Sequence, residues 1–342
     1  MSRLLRESIV VLLCVTLVYL PLLAFKTRSA RADASVKRAA KEPVAQQLHG
    51  HKPGEMLVKF RDFTTQAERE QFLNIFSKED KELRGHRDAK RIKLKDGLDV
   101  PTTLVNARQL TNIVEWAEPN YTVMRADANI SPAKKTAKLR QAATTPNDAR
   151  FNLQWSLANT GQANGLPGSD IGALAGWAKT KGARNTVIAV IDTGVDTRHP
   201  DLTQNLWVNQ AENRGKRNED DDRNGFMDDV QGWNFINESN DVSDDNGHGT
   251  AMAGIIAAEA NNNIGIAGVM WQASVMPLKA LDATGSGSIS DVVEAMDYAR
   301  ANGASVINCS FGTPAFSQAL QEAIQRAGSP AFWWSPQRAT MR

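Results

Sequence analysis

The chain has 342 residues, 42% of them hydrophobic and 23% charged, with a formal net charge of +2. That length suits a leader, a small domain and most of a larger one, and the near-neutral charge argues against a nucleic-acid partner. The two cysteines, Cys14 and Cys309, exclude a disulfide framework and a cysteine-based metal cluster.

The first 34 residues are typical of a targeting segment. Two arginines give it a positive start, residues 9–25 are largely apolar, and the small residues at 32–34 suit a signal-peptidase site. The apolar run is also close to the shortest length that spans a bilayer, so a cleaved signal peptide and an uncleaved anchor both remain open. Either way, we expect the rest of the chain to be secreted or extracytoplasmic. A polar linker follows at residues 35–52.

Residues 53–126 predict a small ferredoxin-like α+β sandwich. Strand and helix patterns alternate at residues 56–60, 64–78, 90–94, 101–110 and 113–124. The ionisable residues of this domain, His86 among them, are scattered, so we expect them to be solvated and not catalytic. Residues 127–149 then form a second linker, rich in Ala, Lys and Thr, with little apolar surface to bury.

Residues 150–328 have the pattern of a doubly wound, mostly parallel α/β domain. Residues 187–191 (VIAVI) are an uninterrupted apolar run, which is typical of a strand buried on both faces. Asp192 ends that strand, at the edge where open α/β sheets gather ligands and catalytic groups; taken alone, it is also compatible with a simple turn. Further strands are predicted at 274–281 and 306–311, and further helices at 289–302 and 318–327.

The stretch 244–258 (DDNGHGTAMAGIIAA) places His248 between two glycines, directly before an alanine-rich helix pattern. Those glycines let the backbone bring the imidazole against another group without a Cβ clash. Together with Asp192, this pattern resembles the subtilisin-like serine proteases, the subtilases, over residues 150–328. The resemblance implies that Asp192 orients His248, and that His248 is the general base that takes a proton from a serine. His199, which follows Asp192, is predicted to be structural.

The order of the parts is similar to that of a subtilase precursor. Residues 53–126 stand where such a precursor has its prodomain, which helps the protease to fold and inhibits it until cleaved. Residues 116–120 (WAEPN) resemble the close of such prodomains. The resemblance therefore implies two kinds of partner, polypeptide substrates and the chain's own prodomain, for a protein expected to be a monomer.

Two loops resemble the edges of the subtilase substrate cleft, where extended backbone pairs with a peptide as an added strand. Ser310 lies in one of these binding segments, so the resemblance argues against it as the nucleophile. The predicted substrate-binding residues are Gly285, Ser286, Gly287, Ser310, Phe311 and Gly312.

Residues 218–229 (NEDDDRNGFMDD) are a candidate cation site. Alternating carboxylates before a glycine turn can surround Ca²⁺, which needs several oxygen ligands at once. Gln231 stands where an EF-hand has its closing acidic residue, so a full EF-hand is excluded. Many subtilases carry a similar calcium-binding insertion, and crowded carboxylates repel unless a cation neutralises them; the alternative is a solvated acidic loop. The predicted calcium ligands are Asp220, Asp222, Asn224, Asp228 and Asp229.

Residues 329–342 (SPAFWWSPQRATMR) depart from the subtilase pattern. Subtilases continue there with a buried strand ending in Ala-Gly-Asn, whose Asn helps bind the oxyanion, and later with Gly-Thr-Ser-Met-Ala, which carries the nucleophile. Neither motif occurs in the sequence. The departure suggests a frameshift, an early stop or a miscalled gene, and it predicts a parallel sheet that is cut short at an open edge.

The sequence therefore predicts an exported serine endopeptidase made as a zymogen. The chain as written keeps Asp192 and His248 but not the serine, so we expect it to be inactive. The alternative is a non-catalytic protein, a prodomain-type inhibitor or chaperone of another protease. A calcium-binding adhesion module would depend on the acidic segment alone.

Overall fold

The computed structural model describes residues 50–126 and 145–328, together with the backbone of residues 333–336. The predicted leader, residues 1–34, and most of both predicted linkers lie outside the described residues. In the part that is described, no helix is long and apolar enough to cross a membrane. All of these described residues belong to one compact unit.

The N-terminal domain has four strands and two helices. Its elements are β1 (His51–Phe60), α1 (Gln66–Phe76), β2 (Ser77–Glu82), β3 (Ala89–Leu94), α2 (Val100–Gln109) and β4 (Val114–Arg125). The strands are antiparallel in the order β4-β1-β3-β2, which is the predicted ferredoxin-like arrangement. Strand β2 was not predicted, because its charged sequence, SKEDKE, has no apolar alternation. Such charges are common on an edge strand, where they discourage pairing with other chains.

Alternation along β1 gives this sheet two buried faces. Met56, Val58 and Phe60 pack with α1 and α2 in the core of the N-terminal domain. Leu57 points to the opposite face and is buried in the core of the second domain, beside residues such as Met296. Because successive side chains of a strand alternate between faces, one strand stabilises both cores.

The second domain is a parallel sheet with helices on both faces. Its elements are α3 (Ala173–Trp177), β5 (Gly182–Asp192), α4 (Gln210–Arg214), β6 (Trp233–Asn234), α5 (His248–Ala257), β7 (Gln272–Lys279), β8 (Ser286–Ser288), α6 (Ile289–Ala301), β9 (Val306–Cys309), β10 (Phe311–Gly312), α7 (Gln318–Ala327) and β11 (Trp333–Pro336). The sheet runs β11-β9-β5-β7-β6 with every pair parallel. Side chains of β5 pack with α5 on one face and with α6 and α7 on the other, so the predicted doubly wound architecture is confirmed.

The backbone of β11 corrects one expectation. Residues 329–342 were not expected to supply a strand, because they lack the apolar composition of a buried strand. Instead, the backbone of β11 pairs in parallel with β9. The expectation was wrong because it considered side chains, whereas strand pairing joins backbone groups; α7 provides the crossover that a parallel neighbour requires.

Candidate active site

Asp192 and His248 are brought together although 56 residues separate them in the chain. Asp192 is the last residue of β5 and is fully buried, and His248 begins α5. His248 Nδ1 lies 2.7 Å from Asp192 Oδ1, which also accepts a 2.8 Å hydrogen bond from the Thr193 amide. Burial raises the pKa of Asp192, while its hydrogen bond with His248 acts in the opposite direction. The Asp192 carboxylate is therefore buried away from solvent and held by its hydrogen bonds with His248 and the Thr193 amide.

Two glycines allow this approach. A Cβ added at Gly249 would lie 2.1 Å from the Gly194 carbonyl oxygen and 3.1 Å from the Asp192 Cβ. Gly247, just before the helix, has a φ of 95° and is the N-cap of α5, a conformation that glycine adopts without strain. The two glycines that flank His248 thus have different functions, one turning the chain and one permitting contact.

The pair has the geometry of a general base and its orienting group. In the neutral imidazole whose Nδ1–H donates a hydrogen bond to Asp192, the lone pair is on Nε2. Among the residues that the structure describes, the His248 ring has a hydrogen bond with Asp192 alone; no described serine, threonine or cysteine donates to Nε2. Cys309 lies in the same region but is buried, and burial raises the pKa of its thiol to about 12. That thiol is therefore a protonated core group and not a substitute nucleophile.

All six predicted substrate-binding residues lie on two edges that flank the last part of β4. On one edge β8 pairs with residues 122–124, and the Gly285 carbonyl accepts a 2.8 Å hydrogen bond from the Arg125 amide. On the other edge β10 pairs with residues 124–125, and the Ser310 carbonyl accepts a 2.9 Å hydrogen bond from the Ala126 amide. An extended strand of the N-terminal domain is thus held by its main chain on both sides, as in β-strand addition.

The side chains of this strand alternate in burial. Val123 is fully buried in the core of the second domain, in the same cluster as Leu281, Ile289 and Phe311. Met124, the next residue, is 61% exposed. The cleft therefore contains one enclosed apolar subsite beside the main-chain contacts.

Residues 116–120 (WAEPN) join the two domains through helix N-termini. Glu118 accepts hydrogen bonds from the Ser317 hydroxyl and the Gln318 amide at the start of α7, each 2.7 Å long. Asn120 Oδ1 accepts one of 3.2 Å from the Ser290 amide at the start of α6. The first amides of a helix have no partner within it, so this motif supplies acceptors to two helices of the neighbouring domain.

His86 is buried at the same contact, so the expectation that it is solvated was wrong. It is 4% exposed, and its Nδ1 lies 3.3 Å from Arg326 Nη1 and 3.5 Å from Glu322 Oε2, both on α7. Burial, followed by the Arg326 charge, lowers the pKa of His86 to about 3. Its local sequence carries no apolar pattern; the side chain is covered by Trp116 of its own domain, whose ring centroid lies 6.4 Å away, and by α7 of the other domain.

The acidic segment 218–229 places some of its predicted ligands together and others apart. Asp222 and Asp229 lie with Glu212 of α4, and their ligand atoms are all within 4.8 Å of one another. Asp220 and Asp228 instead accept hydrogen bonds from backbone amides of the loop. Glu212 was missed because it lies outside the acidic run.

This cluster is chemically suited to a hard cation. Asn224 reaches it too, since its side-chain amide lies 2.9 Å from Asp229 Oδ2 and 3.2 Å from Asp222 Oδ2. Burial raises the pKa of Asp229, so its negative charge lacks compensation from solvent. Carboxylate oxygens are ligands that Ca²⁺ prefers. Asn224 presents its amide nitrogen to the cluster, and its oxygen accepts a hydrogen bond from the Phe226 amide instead.

A second acidic pair contains an unpartnered carboxylate oxygen. Asp148 is 5% exposed, and its Oδ1 is buried without a hydrogen-bond donor among the described residues. Burial raises the pKa of Asp148, and the charge of Asp201 acts in the same direction. The other three oxygens of this pair have donors: the Asn261 amide donates to Asp148 Oδ2 (2.8 Å), the Asn262 side chain to Asp201 Oδ1 (2.7 Å) and the Ile266 amide to Asp201 Oδ2 (3.0 Å). Buried carboxylate oxygens normally have a partner, and a cation fits here; no short motif marks the two residues in the sequence.

Family profiles match both domains. Residues 183–335 match the Subtilase family, and residues 33–120 match the Fervidolysin N-terminal prodomain. The first match continues seven residues past the predicted domain end at 328 and includes most of β11.

Curated relatives agree with these profiles. The chain is 31% identical over 316 residues to the thermophilic serine proteinase of Bacillus sp. strain AK1, covering 91% of this chain and 65% of that one. It is 30% identical over 275 residues to subtilisin-like protease 1 of Plasmodium berghei, covering 79% and 44%. The chain thus spans less than two thirds of the length of these relatives.

A solved structure gives the fold. Fervidolysin from Fervidobacterium pennivorans, described as a keratinolytic enzyme related to subtilisin, superposes with a TM-score of 0.59 at 22% identity, covering 80% of this chain and 38% of that one. At this identity the likeness concerns architecture only.

Proposed function

We propose that this chain, which carries a peptidase domain of the subtilase family behind a prodomain of the fervidolysin type, is part of the zymogen of an exported serine endopeptidase. The observation that carries the proposal is the 2.7 Å contact between Asp192 and His248 beside a cleft that grips an extended strand on both sides. That combination supplies a base for a hydroxyl nucleophile and a place to hold a peptide.

In the proposed mechanism Asp192 fixes the tautomer of His248 and stabilises the imidazolium that forms. His248 Nε2 takes the proton from a serine hydroxyl as the hydroxyl attacks the peptide carbonyl, and then returns it to the leaving amine. The subtilase serine motif, Gly-Thr-Ser-Met-Ala, does not occur in the 342 residues. We therefore expect this chain, as written, to be inactive, because loss of the serine lowers subtilisin turnover by roughly a millionfold.

The N-terminal domain is proposed to inhibit the cleft directly. Its residues 122–126 take the place of a bound peptide, since both cleft edges pair with them. The burial of Val123 supports a substrate class of extended polypeptides with an aliphatic side chain at that subsite. Inhibition ends when this strand leaves.

Ca²⁺ is the cofactor that we propose, and its role is structural. Glu212, Asp222 and Asp229 are suited to hold one ion, and Asp148 with Asp201 a second. Bound ions would neutralise carboxylates that repel one another in the folded state. Neither place touches His248 in the described hydrogen bonds, so no catalytic step passes through the metal.

The test compares two versions of the protein. One is the 342-residue chain, and the other continues after codon 328 in each reading frame of the downstream gene. We expect the first to hydrolyse a peptide substrate no faster than its His248→Ala variant. We expect the frame that encodes Gly-Thr-Ser-Met-Ala to give proteolysis that a serine-directed inhibitor and His248→Ala both abolish. Proteolysis that persists in His248→Ala would show that the pair is not catalytic.

A second function, inhibition of another protease, is favoured by the strand in the cleft. Here the N-terminal domain would leave its own cleft and enter that of an active subtilase. The test adds the intact chain to such an enzyme and follows residual activity with time. Inhibition that develops slowly and weakens in a Val123→Asp variant would support this function, and full enzyme activity at every concentration would exclude it.

A further inference from the structure

Three segments meet behind the Asp192–His248 pair. They are the turn at 193–196, the loop at 241–244 and the first turn of α5. The Val195 amide donates a 2.9 Å hydrogen bond to the Val242 carbonyl, and a Cβ at Gly194 would lie 2.5 Å from that carbonyl oxygen. The contacts among these three segments therefore determine the position of His248 relative to Asp192.

The carboxylate of Asp244 lies at this junction. Its Oδ1 accepts hydrogen bonds from the Thr193 hydroxyl (2.8 Å) and from the amides of Asn246 (3.0 Å) and Gly247 (2.8 Å). Its Oδ2 accepts from the Thr250 amide (2.9 Å) and the Thr250 hydroxyl (2.6 Å). Five donors thus converge on one side chain, and the Thr250 amide belongs to the first turn of α5, which has no partner for it within the helix.

The two hydroxyl groups extend this network to both catalytic segments. Thr193 Oγ1 also accepts a 2.9 Å hydrogen bond from the amide of Gly249, the residue after His248. Thr250 Oγ1 also accepts one of 2.9 Å from the amide of Asp196, in the turn after Asp192. A hydroxyl has one proton. Because Asp244 takes that proton in both cases, the oxygen lone pairs face the amides, and each threonine bridges the turn to the helix.

We propose that Asp244 is a positioning residue that holds His248 against Asp192. This inference depends on the proposed function, since it concerns the pair assigned there to catalysis. An amide cannot replace the carboxylate, because the NH₂ group of Asn would meet N–H or O–H donors at whichever oxygen position it took. Loss of this acceptor releases both threonine bridges, and His248 then loses its fixed orientation.

The test observes the His248–Asp192 hydrogen bond in the full chain by NMR, without any need for activity. The chain is labelled with ¹⁵N-histidine, and the Nδ1 proton of His248 is assigned by its disappearance in His248→Gln. We expect this proton signal in the unchanged chain. In Asp244→Asn we expect it to vanish or to exchange with water at least tenfold faster. Asp241→Asn, the same change three residues away at a carboxylate that accepts from the Ser243 amide, should leave the signal in place.

The outcomes separate this inference from the proposed function. If the unchanged chain shows no such signal, the catalytic pair itself is absent and the proposed function fails together with this inference. If the signal is equally strong in Asp244→Asn, the function stands and the positioning role is wrong. Should Asp244→Asn be unfolded by circular dichroism, Thr250→Val decides, because it removes one bridge and keeps the side-chain volume; an unchanged exchange rate there overturns the proposal.

Discussion

The carboxylate of Glu118 and the hydroxyl of Ser317 form a 2.7 Å hydrogen bond between the two domains. The same carboxylate accepts from the Gln318 amide at 2.7 Å, so it caps α7 from outside the domain to which α7 belongs. Glu118 is buried, and burial raises its pKa. Its negative charge is tolerated there because the amides of the helix N-terminus attract it.

Replacing Glu118 tests how much this cap contributes. Glu118→Ala leaves the Gln318 amide without its partner, and we expect the domain contact to weaken by about 1 kcal/mol, since removing the buried charge offsets part of the loss. Hydrogen exchange of the Arg125 and Ala126 amides, which donate across the cleft, measures the contact. Glu115→Ala is the control, because Glu115 lies on the same strand and, in the part of the chain that the structure describes, pairs with Lys59 of its own domain. Equal effects of the two variants would contradict the cap.

Acid should loosen the domain contact through His86. Its pKa is about 3 in the assembled protein, against an ordinary value of 6.5. In the separated domains His86 therefore binds a proton below pH 6.5, whereas in the assembled protein it stays neutral down to about pH 3. The contribution of His86 to assembly is complete above pH 6.5 and is lost as the pH falls from 6.5 to about 3. Within that range we expect the equilibrium constant for domain assembly to fall about tenfold per pH unit, which amounts to about 30-fold at pH 5.

The pH test uses the same cross-cleft amides, with exchange rates corrected for pH. His86→Gln should flatten the pH dependence of these exchange rates, whereas His51→Gln, at the first residue of β1, should leave it unchanged. Carboxyl groups at this contact act in the opposite direction, because burial raises the pKa of Glu118, Asp291 and Glu294. A slope that is the same with and without His86 would assign the pH response to other groups.

Val123 should contribute more than any other side chain of the strand in the cleft. Val123→Ala removes two methyl groups from an enclosed site, and we expect about 2 kcal/mol of destabilisation of the contact. Met124→Ala is the matched control, since a side chain that is 61% exposed should change stability by less than about 0.5 kcal/mol. Urea unfolding with a two-state fit measures both. Comparable losses would mean that the strand is held by its main chain alone.

Calcium should stabilise the protein, and the effect of Asp148→Asn on thermal stability should change sign between calcium-free and calcium-containing buffer. In the presence of a chelator, Asp148→Asn should raise the thermal midpoint, because it removes a buried, unpartnered charge beside Asp201. At 1 mM Ca²⁺ the same variant should be less stable than the unchanged chain, whose gain reaches about 4 kcal/mol if the ion exceeds its dissociation constant a thousandfold. A variant that is less stable under both conditions would contradict a cation at Asp148.

The acidic segment provides a separate calcium test. Asp222→Asn should weaken Ca²⁺ binding in a calorimetric titration, because Asp222 lies in the cluster with Glu212 and Asp229. Asp228→Asn, in the same segment, should leave the affinity nearly unchanged, since Asp228 accepts from the Asn218 amide instead. Loss of affinity in both variants would mean that the loop rearranges around the ion.

Local patterns predicted the elements that local forces decide. The apolar run before Asp192 predicted a buried strand, and the glycines around His248 predicted a close approach, since a Cβ at Gly249 has no room. The helix predicted at residues 318–327 is α7 at its observed bounds, and the structure shows that the Ser317 side chain caps it by accepting from the Leu320 amide. Where the pattern was weak, the prediction failed: the charged strand β2 was missed, and β11 was not expected to be a strand.

The sequence by itself predicted the ferredoxin-like domain and the doubly wound sheet, because both follow from periodicity, and its resemblance to the subtilases singled out Asp192 and His248. Only the tertiary structure decided the burial of His86, the orphaned oxygen of Asp148 and the convergence of five donors on Asp244. The burial of His86 requires the two domains to pack together, whereas the environments of Asp148 and Asp244 form where separate segments of the second domain meet. The residue pattern of a sequence segment indicates which secondary-structure element it forms. The environment of a charged group, by contrast, depends on the packing of the folded protein around it.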